Sequence, residues 1–429
     1  MWQTDFVRAQ LGKLLTKTDR LVLEAAVPAV ESRLQDTEAF GLYLHIPFCR
    51  QICPYCPYNK LLYHPEMAEQ YTKAVLSEID SYADLAGKRP VTSFYIGGGT
   101  PTTMLYSGLD RILDRVFKAF NMRCGIHMES HPNDLSSDNL DTIAAMGVEH
   151  LSIGVEALQD QHLRTLHRPY TAAQVREALE RAVGQGFACV NADIIFALPD
   201  QTVEEVAQSG NALVEIGVDQ VAAYPLFEFP YTRWAQLYGR SRARRPSIFK
   251  RRQMLGALEQ IFYGAGFERT SVWAFTRNGV PRYCSVTVPL YIGLGASGGS
   301  YLKDVFYLNT FNVQEYIRAL ESGKSPIALS LALSEPMQMA GWVYWRVYET
   351  RIRKSEFRLR FGKDFDRIYG GCVRALSLSG FLKDVGDEIV LTDRGIYWLH
   401  AFQDLFSVGY IARLWGTAVE EPWPQRVAL

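Results

Sequence analysis

Three cysteines fall within eight residues, in Cys49-Arg-Gln-Ile-Cys53-Pro-Tyr-Cys56, a C-x3-C-x2-C spacing. Thiolate is the metal-binding form of cysteine. Three of them on one short loop can hold three irons of a [4Fe–4S] cluster and leave the fourth iron open to an exogenous ligand. A structural zinc site instead closes with four ligands, commonly in two pairs set apart. No second C-x2-C exists here, because Cys124, Cys189, Cys284 and Cys372 stand singly. The loop therefore reads as an open iron–sulfur site.

The loop leaves a strand-like run, Leu42-Tyr43-Leu44-His45-Ile46, and a regular alternation follows. Strand patterns at 42–46, 93–96, 126–130, 150–154, 189–195 and 220–224 are separated by helix patterns at about 66–86, 108–120, 136–147, 172–186 and 203–216. Six strands with five helices between them predict right-handed crossovers and a parallel α/β sheet, whether open, a partial barrel or part of a full one. In each of these, chemistry gathers at the C-terminal ends of the strands. The cysteine loop leaves the first strand there, and Gly97-Gly98-Gly99-Thr100-Pro101 leaves the second. Glu129 ends the third, Glu156 follows the fourth and Asp193 lies in the fifth, so polar and glycine-rich features recur on one rim. Three consecutive glycines let a backbone approach a ligand closely. An acidic residue inside an apolar strand such as Asn191-Ala-Asp193-Ile-Ile-Phe needs a partner or a function.

Outside this unit, residues 9–35 read as an amphipathic helix with Leu11, Leu14, Leu15, Leu21, Leu23 and Val27 on one face. The basic run at 236–252 reads as a solvated helix start or linker. A Gly-rich run, Gly293 to Gly299, ends a further strand at 289–292. Residues 370–398 have the helix, turn, strand, strand order of a small winged-helix-like module, and 396–417 form an apolar last helix bearing Trp398, Phe402, Leu405, Phe406, Ile411, Leu414 and Trp415. The expected division is an N-terminal helical segment (1–40), the (β/α) core (41–240), a core extension and substrate region (241–325) and a C-terminal helical, winged-helix-like part (326–429). Lys plus Arg number 45 against 46 Asp plus Glu, which argues against a nucleic-acid partner. No apolar stretch reaches membrane-spanning length, no signal peptide opens the chain, and the cysteine usage suits a reducing compartment, so a cytoplasmic location is expected.

Taken together, Tyr43-Leu-His45-Ile-Pro47-Phe-Cys49, the C-x3-C-x2-C loop and Gly97-Gly-Gly-Thr-Pro101 resemble the radical S-adenosylmethionine enzymes, in the branch of oxygen-independent coproporphyrinogen III oxidase. The resemblance runs from about residue 41 to 300. It implies a partial (β/α)6 TIM-like barrel, a [4Fe–4S] cluster on Cys49, Cys53 and Cys56, and S-adenosylmethionine on the open iron, whose reductive cleavage gives a 5′-deoxyadenosyl radical. It further implies that Tyr43 and Tyr55 lie against the bound S-adenosylmethionine. Gly97, Gly98 and Gly99 receive the methionyl amino group, Thr100 beside them is cofactor-binding, Glu129 and Arg168 hold the cofactor, and Asp193 and Glu156 belong to a second S-adenosylmethionine site. An electron donor such as flavodoxin or ferredoxin is implied as a partner.

Three positions depart from the resemblance. Tyr58 stands where the decarboxylase has a further cysteine, Glu156 replaces a glutamine, and Arg282-Tyr283-Cys284-Ser285 lacks the histidine of the related haem chaperone. The reading carried forward is a radical enzyme using a second S-adenosylmethionine to transfer a methyl or methylene carbon to a flat, conjugated small molecule. Cys284 is read in it as a hydrogen-atom donor or a trap for substrate, and Tyr43 is counted with it as catalytic. The alternatives are an enzyme acting on tetrapyrroles, by decarboxylation or haem ring opening, and a non-catalytic haem chaperone.

Overall fold

The computed structural model describes residues 21–238, 245–281 and 290–429. Strands β1 (Phe40–Ile46), β2 (Pro90–Gly98), β3 (Ile126–Ser130), β4 (Val148–Glu156), β5 (Cys189–Phe196) and β6 (Gln220–Pro225) run parallel and pair in chain order. Helices α1 (Pro65–Ala86), α2 (Leu109–Ala119), α3 (Ser137–Ala145), α4 (Ala172–Gly184) and α5 (Val203–Ile216) make the crossovers. This is the expected (β/α)6 unit. Its two ends meet other strands rather than each other: Tyr291–Leu294 pairs parallel with β1, and Ala274–Arg277 pairs antiparallel with β6. The arc stays open, within one mixed sheet.

Local sequence explains these elements. α1 starts on Pro65, whose missing N–H costs nothing in a first turn, and stops at Gly87 with φ +56°. Between them Tyr71, Val75, Ile79 and Tyr82 are buried at three- and four-residue spacing, forming the stripe that packs on the sheet. Thr171 with Gln174 and Thr202 with Glu205 form reciprocal capping boxes that start α4 and α5. In β5, Val190, Ala192, Ile194 and Phe196 are buried, while Asn191, Asp193 and Ile195 alternate with them and face a cavity inside the arc. The Gly-rich turn after Tyr291–Leu294 is tied to α1 by Glu78. That buried carboxylate accepts from the Gly295 amide (2.7 Å), the Tyr316 hydroxyl (2.6 Å) and Asn309 Nδ2 (2.7 Å), and burial pushes its pKa up to about 7.

The N-terminal expectation needs correction. Val22–Glu24 is a strand, pairing antiparallel with Arg426–Ala428 and, through Glu24, with Ser330; among the described residues of 21–35, only Val30–Gln35 is helical. Pro28 disfavours helix at Val27, and a partner strand from the far end of the chain lies beyond any local pattern. Leu11, Leu14 and Leu15 lie outside the described residues. The basic run is corrected in part. Arg245 is ion-paired with Glu228 and Arg252 with Glu259 (2.9 Å), all partly or fully buried rather than solvated, whereas Arg240, Arg242 and Arg244 lie outside the described residues.

At the C-terminal end, Arg351–Arg353, Glu388–Leu391 and Leu382–Val385 form a three-stranded antiparallel sheet. It is covered by helices Lys354–Phe361 and Phe365–Leu378 over a separate core of Trp342, Ile352, Phe357, Phe365 and Ile389. This is the winged-helix-like arrangement expected there. The last helix, α6 (Asp393–Glu420), leaves it and returns to the main unit, where Leu414 is buried and Ile411 and Trp415 reach the cavity. Among the described residues no helix is long and apolar enough to cross a membrane.

Candidate active site

β1 delivers its chain directly into the cysteine loop. Cys49 is buried and Cys53 and Cys56 are partly so, and all three line a cavity of about 590 Å³ at the C-terminal rim of the arc. The loop is braced at several points. Lys60 Nζ donates to the carbonyls of Cys56 (2.7 Å) and Tyr58 (3.0 Å), and the Trp234 amide donates to the Pro54 carbonyl (2.8 Å). Thr100 Oγ1 lies 3.6 Å from Cys49 Sγ. Burial pushes the Cys49 thiol up to about 11 and Cys56 to about 12, so these groups ionise only against a bound cation. Among the described residues no three His, Cys, Asp or Glu side chains converge on one ion. Three thiols around one opening, with no fourth ligand residue beside them among the described residues, suit a cluster, in which each thiolate binds its own iron, better than a closed structural zinc.

The Gly97–Gly99 turn is packed against this loop so closely that side chains are excluded. A Cβ on Gly99 would lie 2.7 Å from the Phe48 carbonyl and 3.0 Å from Cys49 Sγ. Gly98, at φ +119°, would bring one within 2.7 Å of the His45 ring. His45 itself is buried, which lowers its pKa to about 4, and it is neutral at physiological pH. Nε2 faces the Asn59 carbonyl (2.9 Å), so it carries the proton, and Nδ1 accepts from the Tyr43 hydroxyl (2.8 Å). The histidine thus joins β1, the far end of the cysteine loop and the glycine turn.

Of the carboxylates that line the cavity, three were singled out in the sequence. Glu129 accepts from the Tyr95 hydroxyl and from the Gly98 amide (3.1 Å), and burial raises its pKa. Asp193 accepts from Ser152 Oγ (2.6 Å) and Asn191 Nδ2 (2.9 Å), and burial raises it to about 7. Glu156 is ion-paired with Arg168, and the guanidinium lies over the rings of Tyr55 (5.9 Å) and Tyr170 (5.7 Å). The Arg168 guanidinium is thus paired with Glu156, while Glu129 and Asp193 are held by neutral donors. Such a site suits a ligand that brings positive charge, as the sulfonium and ammonium of S-adenosylmethionine do.

Of the residues singled out in the sequence, Cys49, Cys53, Cys56, Tyr55, Gly98, Gly99, Thr100, Glu129, Glu156, Arg168 and Asp193 all line this one cavity. Two others lie beneath its floor. Tyr43 stacks on Tyr95 (6.0 Å between centroids), and Gly97 makes room for Glu129, whose Oε1 would be 3.0 Å from an added Cβ. Cys284 lies outside the described residues. Residues not anticipated are Tyr95, Ser152, Asn191 and Tyr170, which orient the acids or flank the arginine, and an outer aromatic wall that includes Phe227, Phe229 and Tyr348. Strand register was the missing signal. Glu129 pairs with Ser152, and Ser152 with Asn191, so these polar side chains form one inward-facing row.

The profile of the Radical SAM superfamily matches residues 43–213. The heme chaperone HemW of Bacillus subtilis is 25% identical over 360 residues, covering 82% of this chain and 95% of that protein. The oxygen-independent coproporphyrinogen III oxidase of Paracoccus denitrificans is 25% identical over 372 residues, covering 82% of this chain and 79% of that protein. Among solved structures, coproporphyrinogen III oxidase (HemN) from Escherichia coli, a radical SAM enzyme, superposes with a TM-score of 0.77 at 21% identity, over 90% of this chain and 94% of that one. The fold is accordingly shared along nearly the whole length. Residues 43–213 thus match the Radical SAM superfamily, whose members use a [4Fe–4S] cluster and S-adenosylmethionine, and most of the chain is similar to coproporphyrinogen III oxidase-like and HemW-like proteins.

Proposed function

We propose that this radical SAM enzyme takes a tetrapyrrole of the haem class into the cavity between the cysteine loop and α6. The observation that carries the proposal is the span of its likeness to heme chaperones, which reaches 82% of this chain and 95% of the Bacillus subtilis protein. The outer cavity supports it, since Tyr58, Phe227, Phe229, Tyr348 and Trp415 offer flat apolar faces to a conjugated ring. In this reading Cys49, Cys53 and Cys56 hold the cluster, which supplies the electron that cleaves S-adenosylmethionine. Glu129, Asp193 and the Glu156–Arg168 pair bind and orient the cofactor, and the closed loop and aromatic wall exclude water.

A second reading, decarboxylation of coproporphyrinogen III, is favoured by the likeness to the Paracoccus oxidase. Charge weighs against it. That substrate brings four carboxylates, whereas the described lining residues offer Arg50, Lys60 and Arg168 against Glu129, Asp134, Glu156, Asp193 and Glu349. Arg50 is already paired with Asp134 and Arg168 with Glu156. Haem, with two carboxylates, asks less of such a site, and Tyr58 stands where the decarboxylase resemblance has cysteine. Methyl or methylene transfer finds no support among the relatives described above.

The test is anaerobic. Cluster-loaded protein is titrated with haem while the Soret band is followed, then given S-adenosylmethionine and a one-electron reductant. Saturable one-to-one haem binding with 5′-deoxyadenosine formation is expected. Absence of saturable haem binding refutes the proposal. Carbon dioxide released from coproporphyrinogen III would establish the second reading, and S-adenosylhomocysteine would mark methyl transfer.

A further inference from the structure

We propose that Glu156 holds Arg168 in reserve and so makes this cavity select an amino-acid ligand by its positive charges more than by its carboxylate. The proposal rests on Arg168 being the receptor for the carboxylate of S-adenosylmethionine. Both partners of the ion pair are enclosed, with 8% and 13% of their side chains exposed. Neither is there by default of local structure. Glu156 has φ +65°, and His167, which sets the direction of Arg168, has φ +57°, a region that non-glycine residues seldom adopt. The surroundings leave just enough room: a Cβ on Gly154 would lie 3.2 Å from Glu156 Oε1 and 3.4 Å from Arg168 Nη2. Arg168 Nε is buried with no hydrogen-bond partner among the described residues, while the residue lines the cavity.

The consequence follows from charge. If position 156 were the glutamine of the family resemblance, a ligand carboxylate would be the principal counter-ion of a buried guanidinium and would bind strongly. With Glu156 in place, the guanidinium is neutralised before the ligand arrives. An incoming carboxylate can use the free Nε edge, but it shares the cation with a resident anion and is repelled by it. The ligand's ammonium and sulfonium groups gain from the same anion. Glu156 is therefore a specificity-determining residue acting through Arg168.

The test compares dissociation constants of S-adenosylmethionine and decarboxylated S-adenosylmethionine by equilibrium dialysis, using anaerobic, cluster-loaded, unreduced protein in which neither ligand is cleaved. Comparing wild type with Glu156→Gln cancels whatever the carboxylate gains elsewhere in the site, which is common to both proteins. The preference for S-adenosylmethionine over its decarboxylated analogue should rise by about tenfold or more in Glu156→Gln, the worth of one charge-assisted hydrogen bond released from competition. An unchanged preference, or equal weakening of both ligands, overturns the proposal. Glu156→Asp, which keeps the charge but shortens its reach, should fall between the two and serves if Glu156→Gln does not fold. Arg168→Gln should abolish the preference that Glu156→Gln creates. If it leaves S-adenosylmethionine affinity unchanged, the assignment of Arg168 as carboxylate receptor fails, a different outcome from an unchanged ratio.

Discussion

Asp193 is buried with two neutral donors and near the Glu156 and Glu129 carboxylates, and its effect on stability can be worked out before measurement. Its pKa rises from an ordinary value of 3.8 to about 7, chiefly through burial, which the hydrogen bonds from Ser152 and Asn191 only partly offset. In the unfolded chain it titrates near 4. Below that pH both states carry the proton and the group costs nothing. Between about pH 4 and 7 the unfolded state ionises while the native state stays protonated, so stability falls by about 1.36 kcal/mol per pH unit. Above about pH 7 the loss levels off at roughly 4 kcal/mol, from about three units of displacement. Asp193→Asn removes the titration and leaves one of two donors less well satisfied, at about 1 kcal/mol. Without added S-adenosylmethionine the variant should therefore be more stable than wild type, by about 2 kcal/mol at pH 6 and about 3 kcal/mol at pH 8, on the same linkage arithmetic. The assay is the difference between wild-type and variant urea midpoints across pH 6–8.5. Glu78 and Asp404 are also pushed to about 7, but both proteins contain them and their contribution cancels. A pH-independent difference, or one that shrinks as pH rises, would refute the claim that burial governs this carboxylate.

Three further outcomes are expected. Replacing Cys53 with Ala should remove the broad visible absorbance of the reconstituted cluster, and retention of that absorbance would exclude Cys53 as a ligand. Gly98→Ala should destabilise the protein by about 2 kcal/mol or more, since φ +119° and the His45 ring both oppose a Cβ, and should lower iron content in parallel. Glu129→Gln should weaken S-adenosylmethionine binding at least about tenfold by removing an anion opposite a cationic ligand, with little change in iron content; equal affinity by equilibrium dialysis would separate Glu129 from the cofactor.

The division between what was legible in the chain and what was not follows from the range of the forces involved. The cysteine loop, the glycine turn and the alternation of β1–β6 with their helices are local patterns, set by side-chain type, periodicity and capping within a few residues, and each appears in the structure where the spacing puts it. Glu129, Glu156, Arg168 and Asp193 could be picked out singly, because a charged group in an apolar strand or at its end needs a reason. Their partners could not. Tyr95 on Glu129 and Ser152 and Asn191 on Asp193 depend on register between strands, and Arg168 meets Glu156 through the path of the intervening chain. The same holds for Val22–Glu24, whose strand character comes from pairing with Arg426–Ala428 and not from its own sequence, which Pro28 only bars from continuing as helix. The amino-acid sequence by itself singled out the candidate cluster ligands and the class of chemistry. Tertiary structure decided that a buried guanidinium is paired with Glu156 beside two further buried acids, and that α6 returns from the C-terminal part to line the same cavity. Burial and long-range pairing raise the pKa values and create the ion pair, and neither quantity exists until the chain has folded.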